Sequence, residues 1–196
     1  MHEILWHGRG GQGVVVAAQI MAEAAYLQGF KGVTSAPTFG PERRGAPLTA
    51  STRISDEPIR TFSQIEQADI VVVLDETLFK VVDVLSRVKR CGTLIVNTAL
   101  SPGNLNFDSC FDIATVDAAG ISLKHRLMKE GAPVVNTPLL GAVARATGIV
   151  SLENIEKALK GKISQEASMR NFTTVKAAYE MTTILKGVRH PSTGSG

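Results

Sequence analysis

Glu3-Ile4-Leu5-Trp6-His7-Gly8-Arg9-Gly10-Gly11-Gln12-Gly13-Val14 stands near the start of the chain, and its reading decides the fold. Glu3-Ile4-Leu5-Trp6 reads as a short strand. Gly8-Arg9-Gly10-Gly11-Gln12-Gly13 reads as a turn, because glycine tolerates positive φ and close backbone approach. From Val14 the apolar residues Val14, Ala18, Met21, Ala22 and Ala25 recur at helical spacing, with Gln19 and Glu23 on the other face. Strand, glycine turn and helix in that order open an α/β unit.

The rest of the chain extends the same alternation. A second strand is expected near Val33 to Ala36. Ala36 to Pro47 holds three prolines and two glycines among its twelve residues, so neither helix nor central strand is expected there. Leu48 to Ile54 has the composition of a half-exposed strand. Ile70-Val71-Val72-Val73-Leu74 is a continuous apolar run, the mark of a parallel strand buried on both faces. Leu78, Val81, Val82, Leu85 and Val88 follow at helical spacing. Strands are expected at Thr93 to Val96 and Ile113 to Val116, with Asp117 capping a helix over Ala118 to Lys129. Further helices are expected from Pro138 through Arg145, stopped by Gly148, from Ser151 to about Lys160, and from about Gln165 to Lys186. The expectation is a three-layer α/β/α sandwich, Rossmann-like, with a mostly parallel sheet. It is read as a single domain over 1–187, followed by a disordered tail over 188–196.

Composition removes whole classes of function. With 196 residues the chain is long enough for a core without covalent staples. The charge is +3 and no run of Lys and Arg forms a nucleic-acid patch. Aromatic residues are 5%, too few for a base-stacking platform. The most apolar stretch, Val14 to Leu27, is interrupted by Gln19 and Glu23, which argues against a membrane span. Cys91 and Cys110 are the two cysteines, neither in a CxxC pair, so this chain alone is not expected to ligate an iron–sulfur cluster or a four-cysteine zinc. They read as buried reduced thiols of a cytoplasmic protein. His2, His7, His125 and His190 show no metal-ligand spacing, and no GxSxG elbow is present. No catalytic residue and no metal ligand is assigned, and Trp6 reads as core.

Gly8, Gly10 and Gly13 fit GxGxxG, where helix N-terminal amides can face a phosphate or carboxylate and Arg9 can add a charge. A dinucleotide site also needs an acidic residue about 20 positions on. Here that region reads Gly32-Val33-Thr34-Ser35-Ala36-Pro37, and no GxxxxGK[ST] occurs. The turn therefore serves helix–strand packing, or it faces a ligand or a partner subunit. The Gln12 amide either bonds a ligand or braces the loop. Arg43 and Arg44, beside Gly45, either clamp an anion or stand solvated. Asp75 and Glu76 end a buried strand at its carboxyl end, where ligands bind in open α/β sheets. They hold a ligand, orient the glycine turn or cap the next helix.

Taken together, Gly8-Arg-Gly-Gly-Gln-Gly-Val14, Arg43-Arg44-Gly45 and Ala68-Asp69-Ile70-Val-Val-Val-Leu-Asp75 resemble one family. It is the gamma subunit of 2-oxoacid:ferredoxin oxidoreductases, the pyruvate and 2-oxoglutarate synthase group. Asn136-Thr137-Pro138-Leu-Leu-Gly141-Ala142 and Asn171 agree, and the likeness runs from Glu3 to about Leu185. Many members carry Arg-Gly-Gly-Xaa-Ser where this chain has Arg44-Gly45-Ala46-Pro47-Leu48.

The resemblance implies a supporting subunit, inactive alone, of an enzyme that oxidatively decarboxylates a 2-oxoacid to acyl-CoA with ferredoxin as acceptor. It implies thiamine diphosphate, Mg²⁺, [4Fe–4S] clusters and coenzyme A on or between partner subunits, none held by this chain alone. The partners implied are alpha, beta and ferredoxin-like delta subunits, with a homodimer when the chain is produced alone. Neither nucleic acid nor membrane is expected. The competing reading is a free-standing nucleotide- or coenzyme A-binding α/β protein that uses the glycine turn.

Overall fold

The apolar run at Ile70–Leu74 lies at the middle of a seven-stranded sheet in the computed structural model, which describes residues 1–37, 43–61, 63–107 and 110–188. The strands are β1 (His2–Arg9), β2 (Gly32–Pro37), β3 (Pro47–Ser55), β4 (Ala68–Val73), β5 (Val88–Asn97), β6 (Asp112–Val116) and β9 (Thr183–Leu185), in the order β2-β3-β1-β4-β5-β6-β9. β1, β4, β5 and β6 pair in parallel, and β3 and β9 run against their neighbours. Five of the seven strands thus point one way. A two-stranded hairpin, β7 (Met128–Lys129) and β8 (Ala132–Pro133), stands apart.

The strand period of two sends alternate residues to two different cores. Ile4, Trp6, Ile70, Val72 and Ile95 face one side, where they meet α1 (Val14–Gln28), α2 (Ala118–Lys124), α3 (Asn136–Thr147), α4 (Leu152–Lys162) and α5 (Gln165–Met181). Leu5, Val71, Val73, Leu94 and Ile113 face the other, covered by Ile65, Leu78, Val84 and Phe111. The helical cover on that second side is built of 3-10 turns at Glu76–Lys80, Leu85–Arg87 and Pro102–Leu105. The third layer is therefore thin.

Local chemistry explains the elements. α1 buries Ala17, Ala18, Ala24 and Ala25, and these small residues bring it close to the sheet. Trp6 Nε1 donates to Thr52 Oγ1 (3.1 Å), which donates to Ala18 O (3.1 Å), tying β1, β3 and α1 together in a dry interior. α3 and α5 touch backbone to backbone: a Cβ on Gly141 would lie 2.0 Å from Val175 O. At the end of the sheet where β1, β4 and β5 begin, Arg53 Nε meets Glu3 Oε1 (3.0 Å) and Lys89 Nζ meets both Glu3 (3.0 Å) and Asp69 (3.1 Å).

Four expectations are corrected. Leu78 to Val88 is two 3-10 turns and the start of β5, not a helix. Its β-branched valines lower helix propensity, and the Asp75 and Asp83 carboxylates take the amides of Thr77 and Ser86 for local turns. The helix after Asp117 stops at Lys124, because Arg126 adopts φ 54° and the chain turns into β7. The last helix ends at Met181, where Thr182 turns extended and β9 joins the sheet edge. Cys91 is exposed and Cys110 half-buried, against the expectation of buried thiols. Cys91 takes φ 63° beside a register shift between β4 and β5, which turns it out of the sheet. Residues 189–196, most of the expected tail and including His190, lie outside the described residues, as do 38–42 of the proline-rich loop.

Candidate functional site

Strand order reverses between β1 and β4: the chain leaves β1 toward β3 and β2 on one side, and β4, β5 and β6 continue on the other. The carboxyl ends of β1 and β4 therefore open a crevice, the usual place for a ligand in an open α/β sheet. The glycine turn borders it from β1 and Leu74–Thr77 from β4.

Polar residues of that crevice close on one another. Arg9 Nε meets Asp75 Oδ2 at 3.0 Å, Arg9 Nη2 donates to Thr77 Oγ1 (2.7 Å) and Arg9 Nη1 to Gly45 O (3.0 Å). The Gln12 side chain accepts from Arg9 N (2.7 Å) and donates to Asp75 Oδ2 (3.1 Å). Asp75 also accepts from Thr77 N (3.0 Å) and Thr77 Oγ1 (2.5 Å). Burial alone would raise the Asp75 carboxyl. The Thr77 hydroxyl and amide, the Gln12 amide and the Arg9 charge outweigh it and hold the group below the usual carboxylate range. Of the roles open to Gln12 and Asp75, the geometry shows bracing of the turn, with Asp75 also capping the 3-10 turn that follows.

Two glycines are required here. Gly10 N donates to Ala46 O (2.9 Å) and Gly45 N to Gly10 O (3.0 Å), and a Cβ on Gly10 would lie 2.3 Å from Arg43 O. Gly13 stands at φ 78°, and its carbonyl accepts from Asn136 Nδ2 (3.2 Å), so α3 is pinned to the start of α1. Among the described residues no side chain caps α1, and its first turn holds no acid. Its positive end is left to whatever enters the crevice.

From this crevice a cleft of about 880 Å³ runs across the ends of β4, β5 and β6. Gly11, Gln12, Gly13, Asp75 and Glu76 line it. Gly8, Arg9 and Gly10 support its wall from behind. Asn97 joins two edges: it donates to Leu74 O (2.9 Å) and accepts from Ala118 N (3.0 Å). Thr137 Oγ1 donates to Asn171 Oδ1 (2.8 Å), linking α3 to α5. Beyond these polar groups the cleft becomes apolar along Val16, Ile20, Pro133, Leu159 and Ile163. Asp75 and Asp117 are its half-buried acids, while Glu76, Lys129, Glu166 and Arg170 stand at exposed positions and Glu166 pairs with Arg170. Arg44 leans over Gly11 and pairs with Glu130 on the β7–β8 hairpin (3.2 Å). Arg43 and Gly45 contribute backbone to the turn, not side chains to the cleft.

Thr77, Asn97, Lys129 and Glu130 were not legible as site residues, and Asn136, Thr137 and Asn171 only through the resemblance. A polar residue directly after a strand, as Asn97 is after Thr93–Val96, was the available signal. Among the described residues no three His, Cys, Asp or Glu gather as a metal site, and no helix is long and apolar enough to cross a membrane.

Comparison with known proteins agrees with this architecture. Residues 3–181 match the family model described as pyruvate ferredoxin/flavodoxin oxidoreductase. The chain is 47% identical over 187 residues to the pyruvate/ketoisovalerate oxidoreductases common subunit gamma of Thermococcus litoralis, covering 94% of this chain and 98% of that one. It is 46% identical over 180 residues to pyruvate synthase subunit PorC of Methanothermobacter marburgensis, covering 92% and 97%. The crystal structure of pyruvate oxidoreductase subunit PORC from Thermotoga maritima superposes with a TM-score of 0.78 at 38% identity, covering 93% of this chain and 97% of that one.

Proposed function

The chain belongs to the pyruvate ferredoxin/flavodoxin oxidoreductase family as a gamma-type subunit, and from that premise we propose that its cleft receives coenzyme A in an assembled 2-oxoacid:ferredoxin oxidoreductase. In that enzyme a 2-oxoacid is decarboxylated, two electrons pass to ferredoxin and the acyl group goes to the coenzyme A thiol. Residues 1–187 act as one unit, in the cytoplasm, with alpha, beta and ferredoxin-like delta chains as partners.

Thiamine diphosphate, Mg²⁺ and the iron–sulfur clusters belong to those partners. This sequence holds two cysteines, and they lie on β5 and in the loop before β6, away from the cleft. Its donor set does not fit a cluster, which takes four thiolates. No step of decarboxylation or electron transfer is routed through this chain.

The observation that carries the coenzyme A reading is the distribution of charge in the cleft. Coenzyme A has an uncharged amide-rich arm ending in the thiol, and a head carrying phosphates. Half-buried Asp75 and Asp117 repel phosphate from the interior, while the apolar stretch along Val16, Ile20, Leu159 and Ile163 suits an uncharged arm. Exposed Lys129 and Arg44 suit phosphate at the rim. The arm therefore lies inside and the head lies at the mouth. This chain's work is to hold the arm extended and to keep its amides out of water.

Val16 tests this. It lines the cleft, is 43% exposed and sits outside the core. In the reconstituted complex Val16→Trp fills the cleft without opening a cavity. The KM for coenzyme A should rise at least tenfold, about 1.4 kcal/mol of lost binding, while the KM for the 2-oxoacid and subunit assembly stay as in the parent. An unchanged KM for coenzyme A refutes the placement.

A further inference from the structure

We propose that Glu130 is a built-in competitor for the phosphate-binding arginine: it holds Arg44 across the mouth of the cleft until a phosphate-bearing ligand takes Arg44 from it. The proposal rests on the coenzyme A reading above and adds a gate to it.

Three observations lead here. The first is the hairpin. Met128, Lys129, Ala132 and Pro133 form part of the cleft wall, and each strand has two residues. A hairpin that short is marginal by itself. Its base is anchored, by Val134 N donating to Leu127 O (3.0 Å) and Ser122 Oγ to Val134 O (2.5 Å). Its tip, with Glu130 at φ 50° and Gly131 at φ 80°, projects outward, and Arg44 is the side chain from another segment that reaches it among the described contacts. The second is the arginine. Its backbone is fixed to the glycine turn through Gly45 N to Gly10 O and Gly10 N to Ala46 O, so only the side chain is free to change partners. Arg44 Cγ passes 3.9 Å from the Cβ position of Gly11, which lines the cleft, so the guanidinium moves between hairpin and cleft mouth without displacing backbone.

The third is strength. The Arg44 and Glu130 side chains are 79% and 63% exposed. An exposed pair of this kind contributes little and exchanges readily. Phosphate carries more charge than a carboxylate and takes the guanidinium fork in a bidentate bond. A phosphate at the rim therefore wins Arg44, the hairpin tip is released, and Lys129 is carried with it. Glu130 makes binding weaker than the site alone would allow, and it discriminates against ligands lacking the charge to displace it.

The decisive feature is a difference in sign between two partners of one ion pair. In the reconstituted complex Arg44→Ala should raise the KM for coenzyme A about fivefold or more, since a phosphate contact is lost. Glu130→Gln should lower it about two- to fivefold, the worth of an exposed ion pair. The double variant should follow Arg44→Ala. Inorganic pyrophosphate as a competitive inhibitor should respond to the same variants, and phosphate-free pantetheine should not. Amide exchange of residues 128–134 in the unliganded chain should quicken in both single variants. A Glu130→Gln variant whose KM is unchanged or raised, or whose hairpin exchanges no faster, overturns the gate. If Val16→Trp raises the KM while the Arg44 and Glu130 variants do nothing, the cleft assignment stands and the gate alone fails. If Val16→Trp is also without effect, both fail.

Discussion

Replacing His7 with Leu should abolish most of a stability loss that the parent suffers between neutral pH and pH 4. His7 is 5% exposed in β1, on the same face as Leu5, above the thinly covered core. Among the described residues its Nε2 has no hydrogen-bond partner, and Nδ1 lies 3.4 Å from Thr49 Oγ1. Burial pushes the imidazole pKa from 6.5 down to about 4, and the Arg87 charge pushes the same way. The sign follows from proton binding. Between pH 6.5 and 4 the unfolded chain takes up a proton at this histidine that the folded chain refuses, so stability falls as pH falls through that window and levels off below it. A gap from 6.5 to about 4 corresponds to about 3 kcal/mol at 1.36 kcal/mol per pH unit. That is a large fraction of a typical folding free energy. At pH 8 the Leu variant should equal or exceed the parent, because an unpartnered buried nitrogen is removed at similar volume. By pH 4 it should be more stable than the parent by about 3 kcal/mol beyond any difference at pH 8. Urea unfolding from pH 8 to 4, read by circular dichroism and by the fluorescence of Trp6, the single tryptophan, measures this directly. Subtracting the two proteins cancels the carboxylates they share. A parent–variant difference that stays flat across the window would refute the reasoning.

Two further outcomes follow from the turn. Asp75→Ala strips Arg9 and Gln12 of their shared acceptor and should cost about 2 kcal/mol, a fall of roughly 4–8 °C in Tm for a chain of this size. A cycle with Arg9→Ala should show coupling, and strictly additive losses would count against the brace. Because the Asp75 carboxyl is held below its ordinary value, its contribution is complete above about pH 4 and fades as pH falls toward its folded pKa, where the parent and Asp75→Asn should converge. Gly10→Ala drives a Cβ into Arg43 O and should cost about 1–3 kcal/mol, whereas Gly103→Ala, with open space around it, should be neutral or slightly stabilising. Equal unfolding midpoints for these two alanines would remove the close approach as the reason for Gly10.

What the sequence disclosed and what it hid divide along the range of the interactions. Ile70–Leu74 announced a central parallel strand because burial on both faces leaves no polar period, and β4 is that strand. Asp117 and Ser151 announced helix starts because a cap is a contact over three residues: Asp117 accepts from Gly120 N (2.7 Å) and Ser151 from Asn154 N (3.2 Å). Gly148 announced the end of α3 for the same reason, its φ of 66° being a local demand. Helical spacing at Leu78–Val88 misled because the same apolar positions serve a sheet face covered by tight turns, where Leu78 and Val84 are buried and Val81 is 62% exposed. Thr183–Leu185 misled because an edge strand of three residues has too little period to interrupt a helix reading. At the site the turn was legible and its partners were not: Arg9 to Asp75 spans 66 residues and Asn136 to Gly13 spans 123. No window of sequence holds both ends of such a contact. The residues chosen as ligand contacts, Arg9, Gln12 and Asp75, turned out to satisfy one another. That mutual closure leaves the adjoining cleft, which Gln12 and Asp75 border and which runs on along apolar Val16, Ile20, Leu159 and Ile163, as the open space at this end of the sheet, and it is there that the proposed ligand has room.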